Sequence, residues 1–424
     1  MAFYTKMKIL LVAFACHPEW GSESAAGWKT AMLLAREHKV HVITHPENQL
    51  AIESFDLDAQ TRVNLTFCFL GQPFENHPNR MVARLMSWVL YKKWLRQVRN
   101  DFPKILKKER PELIHHVTFA TWRIGVPWHE FGLPVVWGPL GGAAKFPTRF
   151  LSGLSLGGAA FEIIRNLGTW IGCRIPTVIR CCRRSHAIIC GNSSDAACIE
   201  KIRGQKRGIH VLSSAHFSSE EMERFQKAGE GKGFDAPLRA FAGGICIGSK
   251  GIQFALEALA LARREGTHIQ YVVACTGPEL SHLQKTVRRL NLQDQVQFHP
   301  GFRGAAYAEI LGQSHLFLLP SFREGSPRTI LEAMLAGAVP LVCAASAQGE
   351  IVGKAEGFAA PIGSREELVR SLASAIIRLD RDRAKLVTMS RAAQRKVREN
   401  NNSDSFLRKI GEIYGQACDA AHLR

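Results

Sequence analysis

The chain lacks any apolar run close to the roughly 20 residues that cross a bilayer. Its first apolar stretch, residues 9–15, is too short for a signal-peptide core with a cleavage site. The expectation is therefore a cytoplasmic protein, with peripheral attachment to the inner face of the cytoplasmic membrane left open. No two of the eleven cysteines have CxxC spacing, and none pairs with histidine at a metal-ligand spacing. They read as reduced, mostly buried thiols, and no metal is expected. A Walker phosphate loop, a GxSxG nucleophile elbow, a coiled coil and short tandem repeats are all missing. Two formal DxD triplets exist, Asp56 to Asp58 and Asp380 to Asp382. One lies in a polar stretch and the other between two helical patterns, so both read as incidental rather than as cation sites.

Acidic residues are scarce relative to basic ones. There are 55 Lys and Arg against 37 Asp and Glu, a formal charge of +18. Such an excess points to anionic partners rather than to a fold. It is concentrated between Arg80 and Arg110, where ten basic residues face two acids and alternate with Trp88, Tyr91 and Trp94. That is the composition of a basic amphipathic helix suited to an anionic membrane surface; the plainer reading is a helix packed on its own domain with a solvated basic face. Nucleic acid is not expected as a partner, because no recognition motif accompanies the charge.

What is present is a repeated alternation of apolar strands and helices. With 424 residues and 46% hydrophobic content, two ordinary domains are expected. Residues 8–14 read as a buried parallel strand, and 40–44, 63–70, 112–118, 134–142 and 187–190 as further strands. A polar stretch at 213–237 marks a boundary. The alternation then resumes with strands at 238–243, 269–274 and 296–299. The expected division is 1–213, 214–402, and a C-terminal helix, 403–424, packing back towards the first domain. The fold class is α/β.

The stretch 320–340 organises the second half. An apolar run ends at Pro320, a polar loop comes next, and then a helix. Glu324 lies in the loop and Glu332 about one turn inside the helix, with Pro327 where a first turn tolerates proline. The N–H groups of that turn suit a phosphate. A carboxylate among the small residues after Glu332 is costly to bury without partners, which a hydroxyl-bearing ligand would supply. Solvated surface acids are the competing reading. In the first half, Gly21 and Ser22 come after the first strand, and His115 and His116 stand towards the carboxyl end of another, where ligands bind in doubly wound sheets.

The spacing from Glu324 to Glu332 resembles the E-x7-E signature of the family 4, or group 1, retaining glycosyltransferases. Thr276-Gly-Pro-Glu279 is similar to their GDGPE turn, with Cys275 in place of the usual glycine. Lys250-Gly251 resembles their KG element. Gly21-Ser-Glu23 with Gly27-Trp28, the His115-His116 run and Trp137-Gly-Pro-Leu-Gly-Gly142 resemble the N-terminal motifs of a subgroup. The resemblance spans roughly residues 8–400.

It implies the GT-B fold, two Rossmann-like doubly wound domains facing a central cleft. It also implies transfer of a sugar from a nucleotide-sugar donor to a glycan or lipid-linked acceptor, with retention and without a metal or other cofactor, in cell-surface polysaccharide synthesis. By this resemblance Glu332 binds ribose hydroxyls and Glu324 the transferred sugar. Gly325, Ser326, Pro327, Arg328 and Thr329 line the sugar and diphosphate. Lys250 contacts the phosphates, and Gly21, Ser22 and Gly277 belong to the donor site. His116, or alternatively His115, sits near the anomeric carbon. The family's usual phosphate-binding arginine is absent: its position falls on Gly244 or Ile245, leaving Arg323 or Arg328 as substitutes. Two other readings stay open, an epimerase-like enzyme acting on the nucleotide sugar and a catalytically weak sugar-nucleotide-binding partner.

Overall fold

A computed structural model describes residues 6–21, 23–72 and 80–423, with 80–87 described as backbone. Ser22 and residues 73–79 lie outside the described residues. The chain divides into two compact units. The first comprises residues 1–142, 171–214 and 406–424, and the second 143–170 and 215–405.

The first unit is built on a parallel sheet of seven strands. They are β1 (Lys8–Ala13), β2 (Lys39–Thr44), β3 (Leu65–Phe69), β4 (Leu113–Thr118), β5 (Val135–Leu140), β6 (Ala187–Cys190) and β7 (Ile209–Val211). Their spatial order is β3-β2-β1-β4-β5-β6-β7. β1, β4 and β5 are buried almost throughout, which explains their unbroken apolar sequences. The second unit holds a six-stranded sheet: β8 (Arg239–Ile245), β9 (Gln270–Thr276), β10 (Val296–His299), β11 (Leu316–Leu318), β12 (Val339–Cys343) and β13 (Phe358–Ala360). Their order is β10-β9-β8-β11-β12-β13. In each sheet the direction of winding reverses beside the first strand, between β1 and β4 and between β8 and β11. Such a switch opens a crevice at the carboxyl ends of the strands.

Five helices carry side chains of functional interest: α1 (Glu23–Leu34), α2 (Arg80–Glu109), α3 (Leu156–Gly172), α4 (Arg328–Leu335) and α5 (Ser403–His422). Residues 143–170, which the sequence pattern places in the first domain, pack on the second unit instead. Phe146, Phe150 and Leu154 enter its core beside Phe254 and Phe322. α5 contributes Phe406, Leu407, Ile410 and Tyr414 to the core of the first unit.

Three local readings are corrected. Residues 63–70 are not all strand, because Asp58 caps a short helix, Ala59–Asn64, before β3 begins. The polar stretch 213–237 contains a helix, Ser219–Gly229, opened by a reciprocal Ser218–Glu221 capping box. Cys246 and Cys275 form a disulfide with Cα atoms 5.6 Å apart, so reduced thiols throughout is not what the structure contains. The second DxD also resolves into a cap: Asp382 accepts from the Lys385 N–H.

Candidate functional site

The second unit assembles a group of side chains at the carboxyl edge of its sheet. Gly277 comes directly after β9, Lys250 after β8, and the loop 324–329 after β11. All three strands are neighbours at the winding switch. Gly244, Ile245, Thr276 and Gly277 are exposed along this edge.

Lys250 ends a tight turn, Gly248–Lys250, that is stitched to the β11 loop. The Ser249 carbonyl accepts from the Phe322 N–H at 2.8 Å and from the Ser321 hydroxyl at 3.0 Å. Gly251 is next, with φ +69°, and a Cβ there would collide with the Pro320 carbonyl oxygen. Glycine after the lysine is thus a packing requirement. Gly277 has φ +151°, and its Cβ would lie 2.6 Å from the Cys246 carbonyl oxygen.

Lys250 Nζ lies 2.6 Å from Glu324 Oε1. The Glu324 N–H donates to Ser346 Oγ at 2.8 Å, which fixes the loop against the next element. Pro327 caps α4, so helical geometry starts at Arg328. Glu332 is 9% exposed and both its oxygens accept hydrogen bonds. Tyr307 Oη donates to Oε2 at 2.7 Å, and Arg328 Nε donates to Oε1 at 2.8 Å. Burial and the adjacent Glu332 carboxylate hold the Tyr307 phenol well above its ordinary range, so it remains a donor. The pattern expected of a buried acid with partners is met by the protein's own groups. Gly325, Ser326 and Thr329 complete the half-exposed loop.

Neither candidate substitute for the missing arginine is available. Arg323 is buried and ion-paired with Glu162. Arg328 is held by Glu332, by Glu221 Oε1 at 2.7 Å and by the His216 carbonyl at 2.7 Å, and its guanidinium stacks 4.2 Å from the Phe217 ring centre. Gly244 has φ +140°, a conformation that disfavours any side chain. The backbone itself therefore disfavours an arginine at that position.

The histidines are elsewhere. His115 and His116 lie within β4 and are 1% and 0% exposed. The Trp128 indole donates to His116 Nδ1 at 3.1 Å, so His116 Nε2–H donates to Tyr91 Oη at 2.7 Å. His115 contacts the Gly138 carbonyl oxygen through Nε2 and Tyr414 Oη through Nδ1 at 2.8 and 2.7 Å. Burial lowers their pKa values to about 4 and about 3. Both are neutral, buried residues with both ring nitrogens engaged by protein partners, and the role that the resemblance implies for either would need one of those partners released.

Gly21 is exposed, with open space where a Cβ would go; close approach does not require glycine there. The residue that the motif places at the edge of this sheet is Glu23, first in α1, whose Oε1 accepts from the Ala120 N–H beyond β4. Desolvation raises its pKa to about 7, with the Ala120 N–H opposing the shift. Glu23 and Tyr307 are the two candidates that sequence reasoning passes over. Glu23 is visible in the GSE motif; Tyr307 carries no local signal.

These two sheets define an α/β protein of GT-B type with two Rossmann-like units. Residues 244–396 match the family model described as Glycosyl transferases group 1. The amylovoran biosynthesis glycosyltransferase AmsK of Erwinia amylovora is 27% identical over 185 residues. That alignment covers 42% of this chain and 44% of AmsK, so the match spans under half of the relative's length. Two solved structures share the fold over nearly the whole chain. Sucrose-phosphate synthase from Thermosynechococcus elongatus has a TM-score of 0.65 at 15% identity, covering 97% of this chain and 99% of its own. Anabaena HepE in complex with UDP and glucose has 0.59 at 16%, covering 96% and 98%.

Proposed function

We propose that the chain is a glycosyltransferase that moves a sugar from a nucleotide-sugar donor to a glycan or lipid-linked acceptor, with retention, in cell-surface polysaccharide synthesis. The observation that carries this reading is the placement of Gly277, Lys250 and Glu324 after three neighbouring strands at one sheet edge, with Glu332 in the helix that follows the Glu324 loop. A cation and exposed glycines there suit a diphosphate leaving group, and two carboxylates suit hydroxyls of ribose and sugar. HepE was solved in complex with UDP and glucose, which supports a nucleotide-sugar donor, and AmsK is an amylovoran biosynthesis glycosyltransferase, which supports polysaccharide synthesis. No metal is assigned a role in this reading.

The test is turnover with a panel of nucleotide sugars and a bacterial membrane lipid extract, with nucleoside diphosphate release as the readout. Acceptor-dependent release that Glu332→Ala abolishes is expected. Sugar isomerisation without release would replace the reading with an epimerase. A second reading, a weak sugar-nucleotide-binding partner, is favoured by the commitment of Arg323 and Arg328 to internal acids. Tight nucleotide-sugar binding with no release would select it.

A further inference from the structure

Helix α3 presents its apolar face outward. At 100° per residue, Leu156, Ile163, Ile164, Leu167, Trp170 and Ile171 fall within one arc of about a third of the helix. They are between 49% and 92% exposed. The opposite side is polar and buried. Asn166 accepts from the Phe146 N–H at 2.9 Å and donates to the Phe146 carbonyl at 2.8 Å. Glu162, fully buried, pairs with Arg323 and accepts from the Ser249 N–H at 3.2 Å. Ser155 caps the start of the helix by accepting from the Gly158 N–H at 3.0 Å, and is itself held by Glu279.

These hydrogen bonds lock the orientation. Turning the apolar face inward would strand Arg323 without its carboxylate. Scattered exposed apolar residues are ordinary, but a continuous stripe of six large ones marks a binding surface.

We infer that this face docks on an anionic lipid surface. Charge selects the occupant. From residue 143 to 170, the part of this segment in the second unit, there are three Lys and Arg and a single acid, Glu162. That acid is buried and neutralised by Arg323, so it offers nothing to a cationic partner. A second copy docked on the same face would bring like charges together, whereas a layer of anionic headgroups complements them. The helix has 17 residues, about 25 Å at 1.5 Å each. It is long enough to lie in the headgroup region, and among the described residues no helix is long and apolar enough to cross a membrane. Trp170, near its C-terminal end, is a side-chain type that favours the interface.

This surface is separate from the segment that the sequence suggests, whose side chains at 80–87 lie outside the described residues. In α2, Tyr91, Trp94, Leu95, Val98 and Phe102 are buried in the protein's own core. The α3 surface stands whether or not a sugar is transferred. It also reaches the candidate site, because Glu162 binds the residues immediately before Lys250 and Glu324.

The experiment is co-sedimentation of the full chain with phosphatidylglycerol-rich and with pure phosphatidylcholine vesicles. Binding to the anionic vesicles at low salt is expected, weakening at about 0.5 M salt, where charge is screened. The double variant Ile164→Glu, Leu167→Glu should lose about tenfold or more of that binding, as apolar insertion is removed. Its thermal melt and its affinity for a nucleotide sugar should stay at wild-type values, since both side chains are exposed and neither is in the donor site. The milder Leu167→Ser should lose part of the binding. Absence of vesicle binding by the folded wild type, or unchanged binding by the double variant, overturns the inference. So does a wild-type dimer in ultracentrifugation that the double variant dissolves, which would assign the face to a second copy.

Discussion

Lys250 Nζ and Glu324 Oε1 are 2.6 Å apart, and the pair joins the turn after β8 to the loop after β11. Each neutralises the other across the winding switch of the sheet. A diphosphate arriving at this edge competes with Glu324 for the lysine. Lys250→Ala is expected to cut turnover by about 10²–10³-fold, the size typical for removing one preorganised charge at a leaving group. Because each residue is the other's partner, a double-mutant cycle with Glu324→Ala should show a coupling of about 1–3 kcal/mol in urea unfolding. Strict additivity would show that the pair is not linked.

Glu332 is held from two sides by Tyr307 and Arg328. Glu332→Ala leaves both donors without their acceptor in a half-buried setting, which should destabilise the fold by about 1–3 kcal/mol. Tyr307→Phe keeps the ring and removes one bond, at about 1 kcal/mol. If Tyr307 orients Glu332 for a ribose, calorimetry should show weaker nucleotide binding in Tyr307→Phe with an unchanged melt midpoint after correction for that loss.

The ion pair of Glu162 with Arg323 is fully buried on the acid's side. Removing one partner leaves a buried charge alone, and Glu162→Ala is expected to cost about 3–5 kcal/mol in chemical unfolding. Glu162→Ala with Arg323→Met should recover most of that loss. Failure to recover would locate the effect in the Ser249 hydrogen bond instead.

Two groups make stability depend on pH in opposite senses. Glu23 is raised by desolvation from 4.5 to about 7. In the window from pH 4.5 to 7 the folded state keeps a proton that the unfolded chain has released, so Glu23's contribution falls as pH rises. Lys232 donates to the Ser314 and Ala336 carbonyls, and burial lowers it from 10.5 to about 7. Between pH 7 and 10.5 the unfolded chain holds the extra proton, so this contribution rises with pH. Urea unfolding of Glu23→Gln should lose the first slope only, and Lys232→Met the second only.

Much of the architecture was legible in the sequence. Strands at 187–190 and 296–299 stand where local pattern places them. The strand–loop–helix arrangement around Glu324 and Glu332 was visible for the same reason. Glycine, proline, capping residues and apolar runs act over a few neighbours, and a few neighbours are what a sequence displays.

The rest needed contacts between distant residues. A strand buried on both faces has no alternation, so β4 gave no sign that both histidines point into the core rather than to a ligand. The partner of Arg323 lies 161 residues away, and nothing local announces it. Helical periodicity shows that residues 156–172 have an apolar side; only the buried Glu162, Asn166 and Ser155 bonds determine that this side faces out. By itself the sequence determined that this is an α/β protein with two glutamates eight residues apart around the start of a helix. The tertiary structure decided which charged groups are committed to one another, because a buried charge is settled by whichever partner the fold brings within hydrogen-bond reach.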